Sequence, residues 1–435
     1  MSDFDLLVRG GEQDIGISGG KIVALGINLS GSATSEVNAR GLTVFPGVID
    51  AHVHFNEPGR TDWEGWETGS RAAAAGGTTT VFEMPLNAHP PTTNRESFEL
   101  KCAAAEASSL VDFGLWGGLV PGNFSDLEGL RDCGVVGLKA FMCNSGISDF
   151  AHVDMATLGA GMQRAAELDL LVAVHAESEE MTATLTGTAR TAGKESIRDY
   201  LDSRPVAAEL EAIRCAIDLA AEAGCRLHIV HVSCGSGVAL VAEARARGID
   251  VSCETCPHYL ALTEEDMERL GAVAKCAPPL RSNDEQGKLR ERLRDITTIG
   301  SDHSPSPPEM KQRENFFDVW GGISGCQHLL PLLLDCKIPP AEVRRLTSAD
   351  VASRFRVRAK GEIAVGKDAD FTLVELDAPE LITADSLHYR HKQSPYVGRS
   401  LQGSVRRTFL RGQTIFDDGK FAARPIGKLV RPETS

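Results

Sequence analysis

The sequence predicts an α/β chain: a (β/α)8 TIM barrel over residues 47–356, with a small β-sandwich domain formed by residues 1–46 and 357–435. Three observations predict it. Eight short β-rich runs alternate with helical stretches, strand-like runs recur at both chain ends, and polar residues collect where the eight runs end. In a (β/α)8 barrel the carboxyl ends of the strands meet at one face, which carries the chemistry.

Both ends of the chain have the pattern of short strands and turns. Residues 3–45 contain FDLLVRG, DIGISGGKIVALG and GLTVF, and the far end contains DADFTLVELD, SVRRTFLRG and QTIFDDGKF. Segments of this kind need a second layer to cover their apolar face. The simplest packing joins the two sets face to face into one sandwich.

The middle of the chain supplies the barrel strands. Helix-forming stretches such as RPVAAELEAIRCAIDLAAEAG lie between several of them. Eight strands with intervening helices are the number that the barrel requires. The runs are GVIDAHVHF (47–55), TTTVFEMP (78–85), DFGLWGGL (112–119), VVGLKAFM (135–142), LLVAVHAE (170–177), RLHIVHVS (226–233), DVSCETCPHYL (250–260) and TTIGSDHS (297–304).

Composition excludes several classes of protein. The 435 residues include 45 basic and 60 acidic side chains, a net charge of −15, which argues against nucleic acid as a partner. No apolar run approaches the roughly 18 residues that span a bilayer, so no membrane is expected. The first residues, MSDFDLLVRGGEQD, lack the pattern of a signal peptide. We expect a cytoplasmic protein.

Five side chains with metal-binding chemistry stand at predicted strand ends. His52 and His54 share one face of the first run, while His175, His231 and Asp302 end the fifth, sixth and eighth. An isolated histidine pair would as readily be a hydrogen-bonded core feature. Four histidines and a carboxylate converging on one rim instead predict a site for zinc or a similar divalent ion.

The fourth run ends in GLKAFM, which places Lys139 among these ligands. A charged lysine cannot bind a metal, because it has no lone pair. If its amine takes up carbon dioxide, the resulting carbamate has two anionic oxygens that can bridge two ions. The spacing alone leaves this role open beside a salt-bridge or substrate-binding role.

The segments HVHFNEPG, GLKAFM, HIVHVS, ETCPHYL and SDHSP resemble, in that order, the signature segments of cyclic-amide hydrolases in the amidohydrolase superfamily. The resemblance spans essentially the whole chain. It implies two divalent ions, zinc foremost, with manganese, cobalt or iron as alternatives, bridged by N6-carboxylysine at Lys139 and by a hydroxide. It also implies a homo-oligomer, commonly a tetramer. The implied ligands are His52, His54, Lys139 and Asp302 for the more buried ion, and His175, His231 and Lys139 for the second.

The resemblance also implies the reaction. A bound divalent ion lowers the pKa of water from 15.7 toward about 7, and a pair of ions can hold the nucleophile and the substrate carbonyl together. Asp302 would act as general base and then as general acid, passing its proton to the departing nitrogen. The expected reaction is hydrolytic opening of a cyclic amide.

Two positions separate the members of this superfamily. Dihydroorotases typically have an arginine where this chain has Asn56, and dihydropyrimidinases and hydantoinases usually have a tyrosine where it has Asn144. The segments HFNEPGRTDWEGWETG, MPLNAHPPT, FFDVWGGISG and HYRHKQSPYVG resemble instead the allantoinase family, which opens the hydantoin ring of allantoin to give allantoate. A hydantoinase or dihydropyrimidinase activity, or a non-catalytic scaffold, are the alternatives.

Four residues are predicted to contact the substrate: Asn87, Ser304, the backbone around Cys276, and Asn56. The resemblance implies that the first three hydrogen-bond the ring and the ureido group. Each side chain has a structural alternative. Asn87 could shape a turn, Ser304 could cap the segment that follows the last strand, and Asn56 could brace its loop.

Overall fold

The chain, described by a computed structural model over residues 2–433, alternates strands and helices through its middle and has mainly strands at both ends. The strands are β1 Phe4–Arg9, β2 Asp14–Ser18, β3 Lys21–Gly26, β4 Ala33–Asn38, β5 Thr43–Pro46, β6 Val48–Val53, β7 Thr78–Glu83, β8 Asp112–Leu115, β9 Gly117–Gly118, β10 Leu138–Phe141, β11 Leu171–His175, β12 Arg226–Ile229, β13 Val251–Thr255, β14 Thr298–Ile299, β15 Phe371–Glu375, β16 Glu380–Leu381, β17 Ser400–Leu401, β18 Ser404–Leu410, β19 Gln413–Asp417 and β20 Lys420–Phe421. The helices are α1 Trp66–Ala75, α2 Arg95–Ser108, α3 Leu127–Cys133, α4 Met155–Glu167, α5 Glu179–Thr191, α6 Ile197–Asp202, α7 Val206–Ala223, α8 Gly235–Ala246, α9 Pro257–Ala261, α10 Glu264–Leu270, α11 Asn283–Glu291, α12 Leu329–Asp335, α13 Pro340–Arg344 and α14 Asp350–Arg354.

The middle strands are all parallel. They form a three-stranded sheet in the order β6-β7-β8 and a six-stranded sheet in the order β14-β13-β12-β11-β10-β9. Each of the eight predicted runs contains a strand of these two sheets, which confirms the mixed α/β class. A parallel bridge joins Val53, at the end of β6, to His303, beyond β14. The backbone N–H of His54 donates to the carbonyl of His303 at 2.8 Å.

Helix α7 illustrates why the intervening segments are helical. It begins after Pro205 and ends at Gly224, whose left-handed backbone (φ 62°) glycine adopts without strain. Its alanines and isoleucines recur at a spacing of three to four residues, which places them on one face. That buried face packs against α4 and α8. Its buried apolar residues are Ala208, Ala212, Ile213, Ala216, Ile217 and Ala220.

Strands from the two ends of the chain pair with each other. β1 to β4 form one sheet, and β5 joins the carboxyl-terminal strands in a separate antiparallel sheet in the order β20-β19-β18-β15-β5. Leu6, Val8 and Ile15 of the first sheet share a core with Phe371 and Phe409 of the second. The domain boundaries at 46/47 and 356/357 stay predictions.

A buried ion cluster connects the parallel sheet to the terminal sheets. The Lys360 ammonium lies 2.8 Å from Asp112 of β8, 2.6 Å from Asp370 and 3.3 Å from Asp368, and Arg411 also pairs with Asp112. Three carboxylates this close could bind a cation. Here lysine and arginine side chains already supply the balancing charge, so the cluster is structural.

Within residues 2–433, none of the helices combines the length and the apolar character that crossing a membrane requires.

Candidate active site

Three of the predicted ligands form one compact group at the carboxyl ends of β6 and β14. Oδ1 of Asp302 lies 3.1 Å from Nε2 of His52 and 3.5 Å from Nε2 of His54. Burial lowers the pKa of His54 to about 4, so its imidazole is neutral at pH 7. Burial acts to raise the pKa of Asp302, but the neighbouring histidines hold that pKa well below its usual range. The group therefore offers two imidazoles and one carboxylate.

The other two predicted histidines form a second group beside the first. Nδ1 of His175 lies 3.0 Å from Nε2 of His231. The ring centroids of His231 and His52 are 5.5 Å apart, so the four imidazoles are neighbours in space. Burial lowers the pKa of His175 and of His231, which keeps both rings neutral at pH 7.

Two of these residues have a strained backbone. His231 has a φ of 39° and Asp302 a φ of 46°, in the left-handed region that residues other than glycine rarely adopt. Such conformations cost of order 1–3 kcal/mol each and occur preferentially at functional sites. In both, the strain accompanies a side chain directed at the histidine cluster.

Lys139 is the second residue of β10 and is buried close to both groups. Its Nζ atom has no hydrogen-bond partner among residues 2–433. Burial lowers the pKa of Lys139 to about 7. The positive charge of Lys139 in turn contributes to lowering the pKa of His54, His175 and His231. An amine that is buried and unpaired is one that a further group could satisfy.

Two buried glutamates orient the rings of His52 and His175 by hydrogen bonds to the nitrogen that faces away from the site. Oε1 of Glu254 lies 2.7 Å from Nδ1 of His52, and Oε2 of Glu177 lies 2.8 Å from Nε2 of His175. Because a carboxylate only accepts, each contact places the ring hydrogen on that nitrogen and leaves the lone pair of the other nitrogen in the site. Gly300 makes the first contact possible, since a Cβ there would lie 2.6 Å from Glu254.

The glutamates differ in their own partners. Glu177 forms a salt bridge with Arg204, whose positive charge holds the Glu177 pKa near 2 against the raising effect of burial. Oε2 of Glu254 has no partner within the described part of the chain. The ring of His52 is therefore the salt-bridge partner of Glu254 within residues 2–433.

The donor atoms fit a pair of divalent cations. The lone pair on Nε2 of His52 and the carboxylate of Asp302 are both acceptors, and a cation between them would satisfy both. Nδ1 of His175 likewise carries a lone pair, and Nε2 of His231, 3.0 Å away, would carry one in the tautomer with the ring hydrogen on Nδ1. The histidine and aspartate clusters are therefore compatible with a binuclear metal site, as is the resemblance to amidohydrolases.

A cavity of about 530 Å3 opens over the histidine cluster. It is lined by Asn87, Cys276 and Ser304, which the sequence predicted as substrate contacts. The Asn87 amide lies 3.2 Å from Nδ1 of His54, and the Cys276 carbonyl accepts from the hydroxyl of Tyr200 at 2.8 Å. Burial raises the pKa of the Cys276 thiol to about 12, so the thiol stays protonated and unreactive.

Asn56 lies elsewhere. It is fully buried, is not among the residues that line the cavity, and has a left-handed backbone with φ of 65°. Its backbone N–H donates to Glu83 at 3.2 Å. Its side-chain amide has no hydrogen-bond partner in residues 2–433. The structure therefore gives Asn56 a place in the loop after β6 and does not bring it to the cavity wall.

Sequence reasoning missed several residues around the cavity. Arg60, Arg204 and Lys275 line it, and Glu177 lies behind His175. Only Glu177 carried a usable signal, because it stands two residues after a predicted ligand and therefore on the same strand face. The others come from loops whose path the strand pattern does not specify.

The histidine cluster, the parallel strands and the cavity define a metal-dependent hydrolase. The model of the amidohydrolase family matches residues 43–415, and the chain belongs to that family. Within it, the chain belongs with the allantoinases. It is 56% identical to the allantoinase of Rubrobacter xylanophilus, over 100% of this chain and 99% of that protein, and 51% identical to that of Deinococcus radiodurans, over 99% of each.

Solved structures of related enzymes share the fold. The L-hydantoinase (dihydropyrimidinase) from Arthrobacter aurescens superposes with a TM-score of 0.96 at 34% identity, covering 98% of this chain and 100% of that one. The dihydropyrimidinase from Brevibacillus agri superposes with a TM-score of 0.92 at 30% identity, covering 100% and 99%.

Proposed function

We propose that this chain hydrolyses the hydantoin ring of allantoin to give allantoate. The observation that carries the proposal is the match to allantoinases along the whole chain, at 51–56% identity for the two compared above. Hydantoinases and dihydropyrimidinases are less similar, at 27–34%. The asparagine at position 144, which lines the cavity in place of their usual tyrosine, agrees with this division.

Two divalent ions, with zinc foremost, would be held by His52, His54 and Asp302 on one side and by His175 and His231 on the other. When bound, such ions acidify a water molecule and polarise the carbonyl of the amide. We propose that Lys139 bridges them as N6-carboxylysine. Its buried and unpaired amine, close to both groups of ligands, supports this role.

Asp302 is the proposed proton carrier. Its carboxylate is ionised at neutral pH and lies at the floor of the cavity beside His52. It would accept the proton of the attacking water at Oδ and deliver it to the amide nitrogen as the C–N bond breaks. An amide requires this step, because an unprotonated nitrogen anion is a poor leaving group.

Three cavity residues would orient the substrate. The Asn87 amide and the Ser304 hydroxyl can exchange hydrogen bonds with the ring and the ureido group, and the backbone at Cys276 adds a further contact. Asn56 keeps its predicted role only if the loop after β6 turns its amide toward the substrate. Its buried side-chain amide makes no hydrogen bond within residues 2–433, so no side-chain contact supports the bracing alternative.

A hydantoinase or dihydropyrimidinase activity is the second candidate. The TM-score of 0.96 with the Arthrobacter aurescens enzyme favours it. The turnover of allantoin, hydantoin and dihydrouracil under one set of conditions separates the two. A preference for either of the last two substrates would overturn the first proposal. A non-catalytic scaffold would require missing ligands, yet all six positions are filled.

We propose that the nine parallel strands, β6 to β14, which make up the eight predicted runs, close into a full barrel. The bridge between Val53 and His303 supports this closure. The homotetramer and the cytoplasmic location stay predictions. Light scattering of the purified protein tests the former, and fractionation of cells that produce it tests the latter.

The decisive experiment pairs an allantoate assay with elemental analysis of the same preparation. We expect turnover of allantoin and close to two divalent ions per chain, both lost after treatment with a chelator and regained with added metal. A preparation that holds two ions per chain and leaves allantoin intact would refute the proposal.

A further inference from the structure

One segment, residues 305–322, which follows Ser304, forms part of the cavity wall. Met310, Phe317 and Trp320 of this segment line the cavity. Apart from two short 3-10 turns it has no regular secondary structure. Something other than a helix or a strand ladder must therefore satisfy its backbone carbonyls.

Lys275 satisfies three of them. It precedes the cavity residue Cys276, is almost fully buried, and its Nζ donates to the carbonyls of Phe316, Phe317 and Val319 at 2.7, 3.2 and 2.6 Å. The ammonium also lies 4.5 Å from the ring centre of Tyr200, a cation–π contact.

Lys311 repeats the arrangement from within the segment. Its Nζ donates to the carbonyls of Trp320 and Gly322 at 2.9 and 2.7 Å, and to that of Ala272 at 3.0 Å. The last contact joins the segment to the neighbouring 3-10 turn at Gly271–Ala274. Together the two lysines bind five carbonyls between residues 316 and 322.

The hydrogen-bond count decides what these lysines can do. A lysine ammonium has three donors and no acceptor, and each of the two makes three hydrogen bonds. Neither has a donor left for a substrate or a proton to exchange without breaking a contact. Burial lowers the pKa of both amines to about 7, whereas the surrounding carbonyls favour the charged form.

We infer that Lys275 and Lys311 are positioning residues that hold segment 305–322 in place as the substrate-facing wall of the cavity. Their six hydrogen bonds replace the regular ladder that the segment lacks. Removal of either ammonium would leave buried carbonyls unpaired, so the wall would shift. The histidine cluster would keep its geometry, because both lysines lie outside it.

Two tryptophans report the position of the wall. Trp320 of the segment makes an edge-to-face contact with Trp63, with ring centres 4.8 Å apart. Trp66 and Trp116, the other tryptophans of the chain, are fully buried. Collisional quenching of fluorescence by acrylamide therefore samples mainly the pair at the cavity mouth.

The test compares Lys275→Met and Lys311→Met with wild type. Methionine keeps the length of the side chain and removes its donors. We expect KM for allantoin to rise about tenfold with a smaller change in kcat, unchanged metal content and stronger acrylamide quenching. Lys288→Met, an exposed lysine of α11, is the matched control and should change none of these. Unchanged KM and quenching in folded, metal-loaded variants would overturn the inference.

Hydrogen exchange in the wild-type protein tests the inference even if the variants fail to fold. The amides of Trp320 and Gly322, which donate to the carbonyls of Met310 and Lys275 at 2.9 and 2.8 Å, should exchange as slowly as strand amides. Exchange as fast as that of an exposed loop would refute it. The KM measurement rests on the proposed function, whereas quenching and exchange do not, so the two proposals can fail separately.

Discussion

The imidazole of His52 is held between two carboxylates: Nδ1 lies 2.7 Å from Glu254 and Nε2 lies 3.1 Å from Asp302. Within residues 2–433 Glu254 makes no salt bridge with a lysine or an arginine, unlike Glu177, which pairs with Arg204. An unneutralised carboxylate behind a ligating histidine makes the ring a stronger electron donor. The two groups of ligands therefore differ in how strongly they are polarised.

We expect Glu254→Gln to weaken metal binding about 10- to 100-fold, because an amide polarises the ring less than a carboxylate does. Competition with a chromophoric chelator measures the affinity. Glu243→Gln, an exposed position on α8, is the control. Equal affinities for Glu254→Gln and wild type would contradict the role of Glu254.

Lys139→Ala should lose both bound metal and activity, because it removes the bridging carbamate. Short carboxylic acids such as acetate should restore part of both, since they return a bidentate anion to the vacated space. Elemental analysis and the allantoate assay, with and without the acid, check this. A variant with normal metal content and normal rate would exclude the bridge.

Asp302→Asn should retain the fold and lower kcat by a factor of roughly 10² to 10⁴, the usual contribution of a general acid–base group. Asparagine matches the shape of aspartate and cannot carry the proton. Circular dichroism checks the fold, and metal content is measured in parallel so that a loss of ligand is recognised. Full turnover would remove Asp302 from the mechanism.

His328 should contribute to loss of stability in acid. Burial lowers its pKa from 6.5 to about 3, and its Nδ1 lies 3.3 Å from the Tyr389 hydroxyl. Below pH 6.5 His328 is protonated in the unfolded chain and stays neutral in the folded chain. The folded state therefore has its full stability, with respect to this group, above pH 6.5 and loses stability as the pH falls toward 3. Between pH 7 and pH 5 this one group accounts for about 2 kcal/mol.

Urea unfolding of wild type and His328→Phe at the two pH values measures this contribution. The variant keeps a buried aromatic ring and removes the titrating nitrogen, so its free energy of unfolding should change less between pH 7 and pH 5. If both proteins lose the same amount of stability, His328 is not the group responsible.

Strand periodicity was sufficient to predict that the proposed ligands lie close together. Alternation places His52 and His54 on one face, and the parallel order of the sheet brings the ends of β11, β12 and β14 to the same rim. These are consequences of local pattern and of topology, both of which a sequence carries. The proposed role of Lys139 came from the resemblance, because spacing alone left it open. The structure adds that its amine is buried and has no hydrogen-bond partner within residues 2–433.

Other parts of the site depend on the path of loops. Lys275 and Lys311 look like ordinary lysines in the sequence, and only the fold of residues 316–322 turns five carbonyls toward them. Arg204 lies 27 positions from Glu177, with no pattern that links them. Asn56 was expected at the substrate, yet the loop after β6 buries it away from the cavity.

Gly47 alone separates β5, which pairs with β15, from β6, which carries His52. During translation β5 leaves the ribosome early, whereas its neighbour β15 is made only after the whole hydrolytic module. Until β15 is synthesised, the hydrogen-bonding edge of β5 has no partner strand in the nascent polypeptide. An unpaired strand edge favours pairing with other chains. Premature termination before residue 371 would make that condition permanent, so truncated products are expected to aggregate.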